Sequence, residues 1–198
     1  YSGIHTARAV ENFPLTPYRV HPRLIRAIAL IKKAAAEVNC ELKFLPKAIA
    51  DPIVQAAEEV LQGQWQDQFI VDALQGGAGT STNMNINEVL ANRALEILGK
   101  SKGEYSVVHP LNHVNLQQST NDVYPTGLRI AALWLLKLLS EECAALQEAL
   151  QEKEAQFANV IKVGRTEMQD AVPIMLGQEF SAYAQAIARD RWRLYKVE

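Results

Sequence analysis

The chain has 198 residues, enough to bury a hydrophobic core without disulfide or metal staples. Hydrophobic residues make up 48% and charged residues 21%, which excludes intrinsic disorder over most of the length. A net charge of −2 gives no electrostatic case for nucleic acid or an anionic membrane, and two distant cysteines, Cys40 and Cys143, exclude a disulfide framework or a thiolate metal cluster. A reducing, cytoplasmic setting is expected. The longest apolar run, residues 130–136, is closed by Lys137 and is too short to cross a bilayer. The first twenty residues lack the basic head and apolar block of a signal peptide, and the chain, opening at Tyr1 and closing inside a helical pattern, reads as a piece of something longer.

Pro14 and Pro17 break any regular element near the start, and Pro22 stands at a first helical position. Leu24, Ile28, Ile31, Ala35 and Val38 then recur at helical spacing, with Lys32 and Lys33 expected on the opposite face. A second helix is expected from Asp51 as N-cap, with Pro52 at N1, to a stop at Gly63. Residues 72–83 carry three glycines and no apolar period and read as a loop. A helix follows over 85–98, with Val89, Leu90 and Leu95 inward and Gly99 as its stop; residues 100–122 are polar and irregular.

The longest periodic segment is 126–157, where Leu128, Leu135, Leu139, Leu146, Leu150 and Phe157 repeat in alternating steps of seven and four. A helix there would run roughly 45 Å, more than a small domain needs, and fits a long bundle packed against other chains. A polar turn over 164–170 reverses the chain, and a last helix is expected from Pro173. No strand-rich alternation stands out, so the class is all-α.

Most catalytic signatures are missing. Gly77 and Gly79 begin a G-x-G, but Thr82 holds the third glycine position and no strand precedes it. His109 and His113, four apart around Pro110, read as loop histidines making ordinary hydrogen bonds rather than zinc ligands. No metal site and no cofactor is expected. What stands out is three loops beside helices, each dense in small hydroxyl and amide side chains: Gly76–Asn83, Gln117–Asp122 and Gly164–Asp170. Glycines admit close approach to the backbone, while Thr, Ser and Asn offer short neutral donors. Helix N-termini add partial positive charge. Such donors suit a carboxylate and, better, the enediolate left when a proton leaves the adjacent carbon. Helix capping is the plainer use of the same residues.

The segments GGAGTSTNMNINEVLANRALEILG, HVNLQQSTNDVYPTGLRIA and VGRTEMQDAVPIMLGQEFSAYAQAI, with YSGIHTARAVENF at the start, resemble the aspartase/fumarase superfamily, and within it the aspartate ammonia-lyase branch. The resemblance implies an N-terminal helical domain over 1–119 and, over 120–198, the first part of a central long-helix bundle. It implies a homotetramer with each active site assembled from loops of three chains. It implies deamination of L-aspartate to fumarate and ammonia through an enediolate. By position, Thr80 and Ser81 would bind a substrate carboxylate, and Ser119, Thr120 and Asn121 would hold the α-carboxylate, the amino group and the carboxylate that becomes the enediolate. Thr166 would reach the site from another subunit, and His113 and Asn115 would support it. Glu167 departs from the His or Gln usual after G-R-T and fits a substrate bearing an ammonium. Leu111 stands where fumarases carry an Asn, which favours deamination over hydration of fumarate. A fumarate hydratase and a non-catalytic helical scaffold are the alternatives. The family's flexible loop of the type GSSxMPxKxNP, with its serine base, is absent from these residues, so the chain alone is expected to be inactive.

Overall fold

The computed structural model describes residues 1–75 and 77–197. Gly76, which opens the first polar loop, and the final Glu198 lie outside them. The chain forms two compact units, Tyr1–Ala132 and Leu133–Glu198.

In the first unit, α1 (Ile4–Asn12), α2 (Pro22–Glu41), α3 (Lys47–Leu61) and α4 (Thr80–Ile97) pack so that α3 lies against both α2 and α4. The core is the shared interior of these helices: Ile25, Ile28, Ile53, Val60, Ile86, Val89, Leu90 and Leu95 are essentially sealed from solvent. Pro22 opens α2 as its composition predicts, with His21 accepting from the Arg23 amide at 3.2 Å. Its buried face includes Leu24 and Ile28 of the expected apolar line, but then runs through Lys32, Ala36 and Asn39, one step round from Ile31, Ala35 and Val38; Val38 is exposed and Lys32 is fully buried.

Helix α3 starts at Lys47 with Pro46 as its cap, so Pro52 sits within the helix rather than at N1. It stops as expected, with Gly63 at φ 91° just past the end. Helix α4 also starts early: Gly79, at φ 87°, turns the chain directly into a helix at Thr80, so Thr80–Asn83 are its first turn and not a loop. A single π turn over Pro110–Val114 precedes the 37-residue α5 (Thr120–Gln156). Val123, Gly127 and Ala131, four apart, seat the start of α5 on the first unit, where a Cβ on Gly127 would lie 2.7 Å from Ile28 Cγ1. Leu128, Leu135, Leu139 and Leu146 are 42–53% exposed within this chain.

The second unit holds one departure from an all-helical reading. Residues 164–170 are not merely a polar turn: β1 (Ile161–Thr166) and β2 (Gln169–Met175) form an antiparallel hairpin, irregular between Val163 and Arg165. Glu167 and Met168 form the two-residue turn, both with positive φ (51° and 62°), as the right-handed strand twist demands. Pro173 pairs with Val163 inside β2, and α6 (Leu176–Val197) begins three residues later than expected. Gly177 lets α6 approach α5, since a Cβ there would meet Glu154 O at 2.6 Å. The class is nonetheless all-α, with this hairpin as its only sheet among the described residues. No described helix is long and apolar enough to cross a membrane.

Candidate active site

Helix α4 presents Thr80 and Ser81 at its first positions, where helix geometry leaves backbone amides without an intrahelical acceptor. The next amide is already satisfied: Thr82 N donates to Gln75 Oε1 at 3.0 Å, and Gln75 Nε2 donates to Thr82 Oγ1 at 2.7 Å. Gln75 thus caps α4 from the preceding loop. Thr80 and Ser81 border a small surface pocket with His5, Arg8 and Asn12 of α1, residues that the sequence reading passed over.

Helix α5 presents the second group. Ser119 caps it: Asn121 N donates to Ser119 Oγ at 3.2 Å, and Asp122 N and Val123 N donate to its carbonyl. Asn83, in the first turn of α4, donates from Nδ2 to Thr120 Oγ1 at 3.1 Å. That bond ties the starts of α4 and α5 together. Both hydroxyl oxygens therefore accept from the protein, which leaves the hydroxyl hydrogens to be donated. Asn121 lines an open pocket of about 370 Å³ with Gln75, Gly79 and Tyr124, and no charged side chain is among its described lining residues. Tyr124 covers Gly79 so closely that any Cβ there would overlap its ring.

Beneath these helix starts lies a buried polar cluster. Asn115 Oδ1 accepts from Lys32 Nζ at 2.8 Å and from Asn83 Nδ2 and Asn87 Nδ2 at 3.1 Å each. Asn115 Nδ2 donates to Gln118 O at 2.9 Å, and Gln118 Nε2 returns to Val114 O and Leu116 O. Burial pushes the Lys32 ammonium down to about 7. The sequence placed Lys32 on the outer face and did not single out Asn83 or Asn87. The available signal was the 25–29–32–36–39 spacing, in which two polar residues share the core line.

His109 Nδ1 accepts from Leu111 N at 3.0 Å and Asn112 N at 3.2 Å, and His113 Nδ1 accepts from His109 N at 3.0 Å. Both histidines make ordinary hydrogen bonds to backbone amides, but not in a loop: His109 caps the π turn over Pro110–Val114 and His113 lies within it. Burial, then the neighbouring His109, holds the His113 imidazole below its usual range. Thr166 and Glu167 stand at the tip of the hairpin in the second unit, both exposed, with the neighbouring Arg165 paired to Asp170 at 3.2 Å.

Thr80, Ser81, Ser119, Thr120, Asn121, His113 and Asn115 all belong to the first unit, arranged around the starts of two helices; Thr166 and Glu167 belong to the second. The family profile described as "Lyase" matches residues 1–198. The chain belongs to the aspartase/fumarase lyase family. Family members named aspartate ammonia-lyase are similar throughout. One from a Bacillus species is 56% identical over 98% of this chain and 42% of its own length. One from Bacillus subtilis is 54% identical over 100% of this chain and 43% of its own. Among solved family structures, a fumarate lyase:delta crystallin from Brucella melitensis superposes with a TM-score of 0.96 at 50% identity, covering 99% of this chain and 46% of that one. A class II fumarase from Schistosoma mansoni gives 0.91 at 39% identity, covering 96% and 40%. The chain therefore spans about two fifths of the length of the curated relatives it matches.

Proposed function

We propose that this chain is the N-terminal part of a carbon–nitrogen lyase that converts L-aspartate to fumarate and ammonia. The observation that carries the reading is the 48–56% identity to several aspartate ammonia-lyases over essentially the whole chain. Thr80 and Ser81 bind one carboxylate. Ser119, Thr120 and Asn121 hold the other carboxylate and the amino group. Thr166 and Glu167 complete the site from another protomer of a homotetramer, and His113 and Asn115 support it.

A base removes the proton on the carbon beside one carboxylate, and the electron pair moves into that carboxylate to form an enediolate. The pair then returns to form the carbon–carbon double bond as the C–N bond breaks and ammonia leaves. The first step is the hard one, because the proton is weakly acidic, so hydroxyl and amide donors aimed at the developing charge do most of the work. Ser119 Oγ and Thr120 Oγ1 each accept one N–H from the protein, and the hydrogen each hydroxyl keeps for another partner supports that role. The base itself comes from sequence outside these residues.

Fumarate formation, followed by its absorbance, tests the proposal on the full-length enzyme offered aspartate and then malate. Fumarate from aspartate alone is expected; fumarate from malate alone would replace the reading with a hydratase, which the similarity to a class II fumarase keeps as the second candidate. Residues 1–198 by themselves are expected to turn over neither. Glu167→Gln is expected to change aspartate binding or the pH profile, since a carboxylate at that position suits a substrate ammonium. An unchanged profile would remove Glu167 from the site.

A further inference from the structure

The buried cluster contains a residue that neither the fold nor the proposed donors account for. Lys32 is fully buried, and its Nζ has one hydrogen-bond partner among the described residues, the neutral Asn115 Oδ1. It forms no described ion pair: the salt bridges of α2 belong to its neighbour Lys33. Burying an ammonium without a carboxylate is costly, and a methionine of similar length would fill the same shaft without that cost. Nor is the charge needed to satisfy Asn115, whose Oδ1 also accepts from Asn83 and Asn87.

The contacts lead from Lys32 in one direction. Asn115 Oδ1 takes both the ammonium and Asn83 Nδ2, and the same Nδ2 also donates to Thr120 Oγ1. The ammonium thus sits at one end of a three-link path that ends on a hydroxyl at the start of α5. The Lys32 Nζ–H···Oδ1 bond, at 2.8 Å, holds the Asn115 carboxamide in one orientation. That orientation fixes Asn83, and Asn83 fixes the rotamer of Thr120.

The geometry points to Lys32 as a positioning residue for the proposed reaction, one that acts through Asn115 and Asn83 to aim the Thr120 hydroxyl at the substrate. This rests on the lyase reading above. Because the aim of a donor matters most where charge develops, its loss falls on the transition state more than on the ground state.

The test uses the full-length enzyme, whose wild-type activity on aspartate is measured first; an inert wild type would overturn the lyase reading and this inference with it. In an active enzyme, Lys32→Met is expected to keep or raise its thermal midpoint while kcat falls about tenfold or more and KM changes less than about threefold. Asn115→Leu is expected to lower kcat similarly, and the double variant no further than the worse single one, because both changes cut the same path. Unchanged kcat in Lys32→Met, a change confined to KM, or additive losses in the double variant would each overturn the inference while leaving the lyase reading intact. If Lys32→Met loses its helical circular dichroism, Lys32→Gln is judged by the same kinetics. Loss of helicity in both would make Lys32 a residue of the fold and overturn its positioning role.

Discussion

The Glu88 carboxylate caps helix α1 from the middle of α4: its Oε2 accepts from Thr6 Oγ1 at 2.6 Å and from the Thr6 and Gly3 amides at 3.0 and 2.9 Å, while Oε1 accepts from His5 N at 2.9 Å. A buried carboxylate with four donors and a helix N-terminus has its charge well compensated. Thr6→Val removes one charge-assisted bond and is expected to cost about 1–3 kcal/mol. Glu88→Gln turns an amide NH2 toward backbone N–H groups, which can only donate, and is expected to cost more, both read from denaturant midpoints. Equal stability of Glu88→Gln and the wild type would show that α1 is held by its apolar contacts instead.

Gly79 meets two constraints at once, a positive φ and the overlying Tyr124 ring. Gly79→Ala is expected to destabilise by more than about 2 kcal/mol, the left-handed backbone contributing about 1–2 of that. Adding Tyr124→Ala removes the clash, so the double variant should be destabilised relative to Tyr124→Ala by only the backbone share. An undiminished effect of Gly79→Ala in that background would mean that the ring is not the obstacle.

Lys32 gives stability a pH dependence of definite sign. Its folded value, about 7, lies below that of an exposed lysine. Between the two values the unfolded chain holds a proton that the folded chain has released, so stability rises as pH increases from about 7 toward 10. The Lys32→Met variant is expected to lose that rise, seen as a flatter plot of unfolding free energy against pH. A wild-type curve that stays flat or falls in that window would contradict the burial of an unpaired ammonium.

Met168 is fully exposed at φ 62°, where its side chain meets nothing that repays the strained backbone. Met168→Gly is expected to stabilise the hairpin by about 1 kcal/mol, measurable as slower amide exchange in β1 and β2. Faster exchange would place an unseen contact at the methionine.

Where apolar residues mark a face, the sequence was a good guide: Val89, Leu90 and Leu95 point inward, and Gly63 and Gly99 end their helices with positive φ. It failed where polar residues do core work. Lys32 and Asn39 occupy positions that would be assigned to the interior if they were apolar, and beyond Ile28 their charge or amide moved the expected stripe one residue round the helix. The glycines before Thr80 hid the start of α4, because Gly79 serves as its entry turn rather than as part of a longer loop. The hairpin escaped for a similar reason. Its turn is Glu-Met in place of the usual Asn-Gly, and Gly164 and Pro173 interrupt the alternation. The polar loops were legible as capping residues, but which side chains cap a helix and which tie two helices together was visible only once Gln75, Ser119 and Asn83 had partners.

The hydroxyl oxygens of Ser119 and Thr120 each already receive an N–H from the protein. Each hydroxyl therefore keeps its hydrogen and one further lone pair, so under the proposed reading it can meet a carboxylate oxygen with the hydrogen or an N–H with the lone pair.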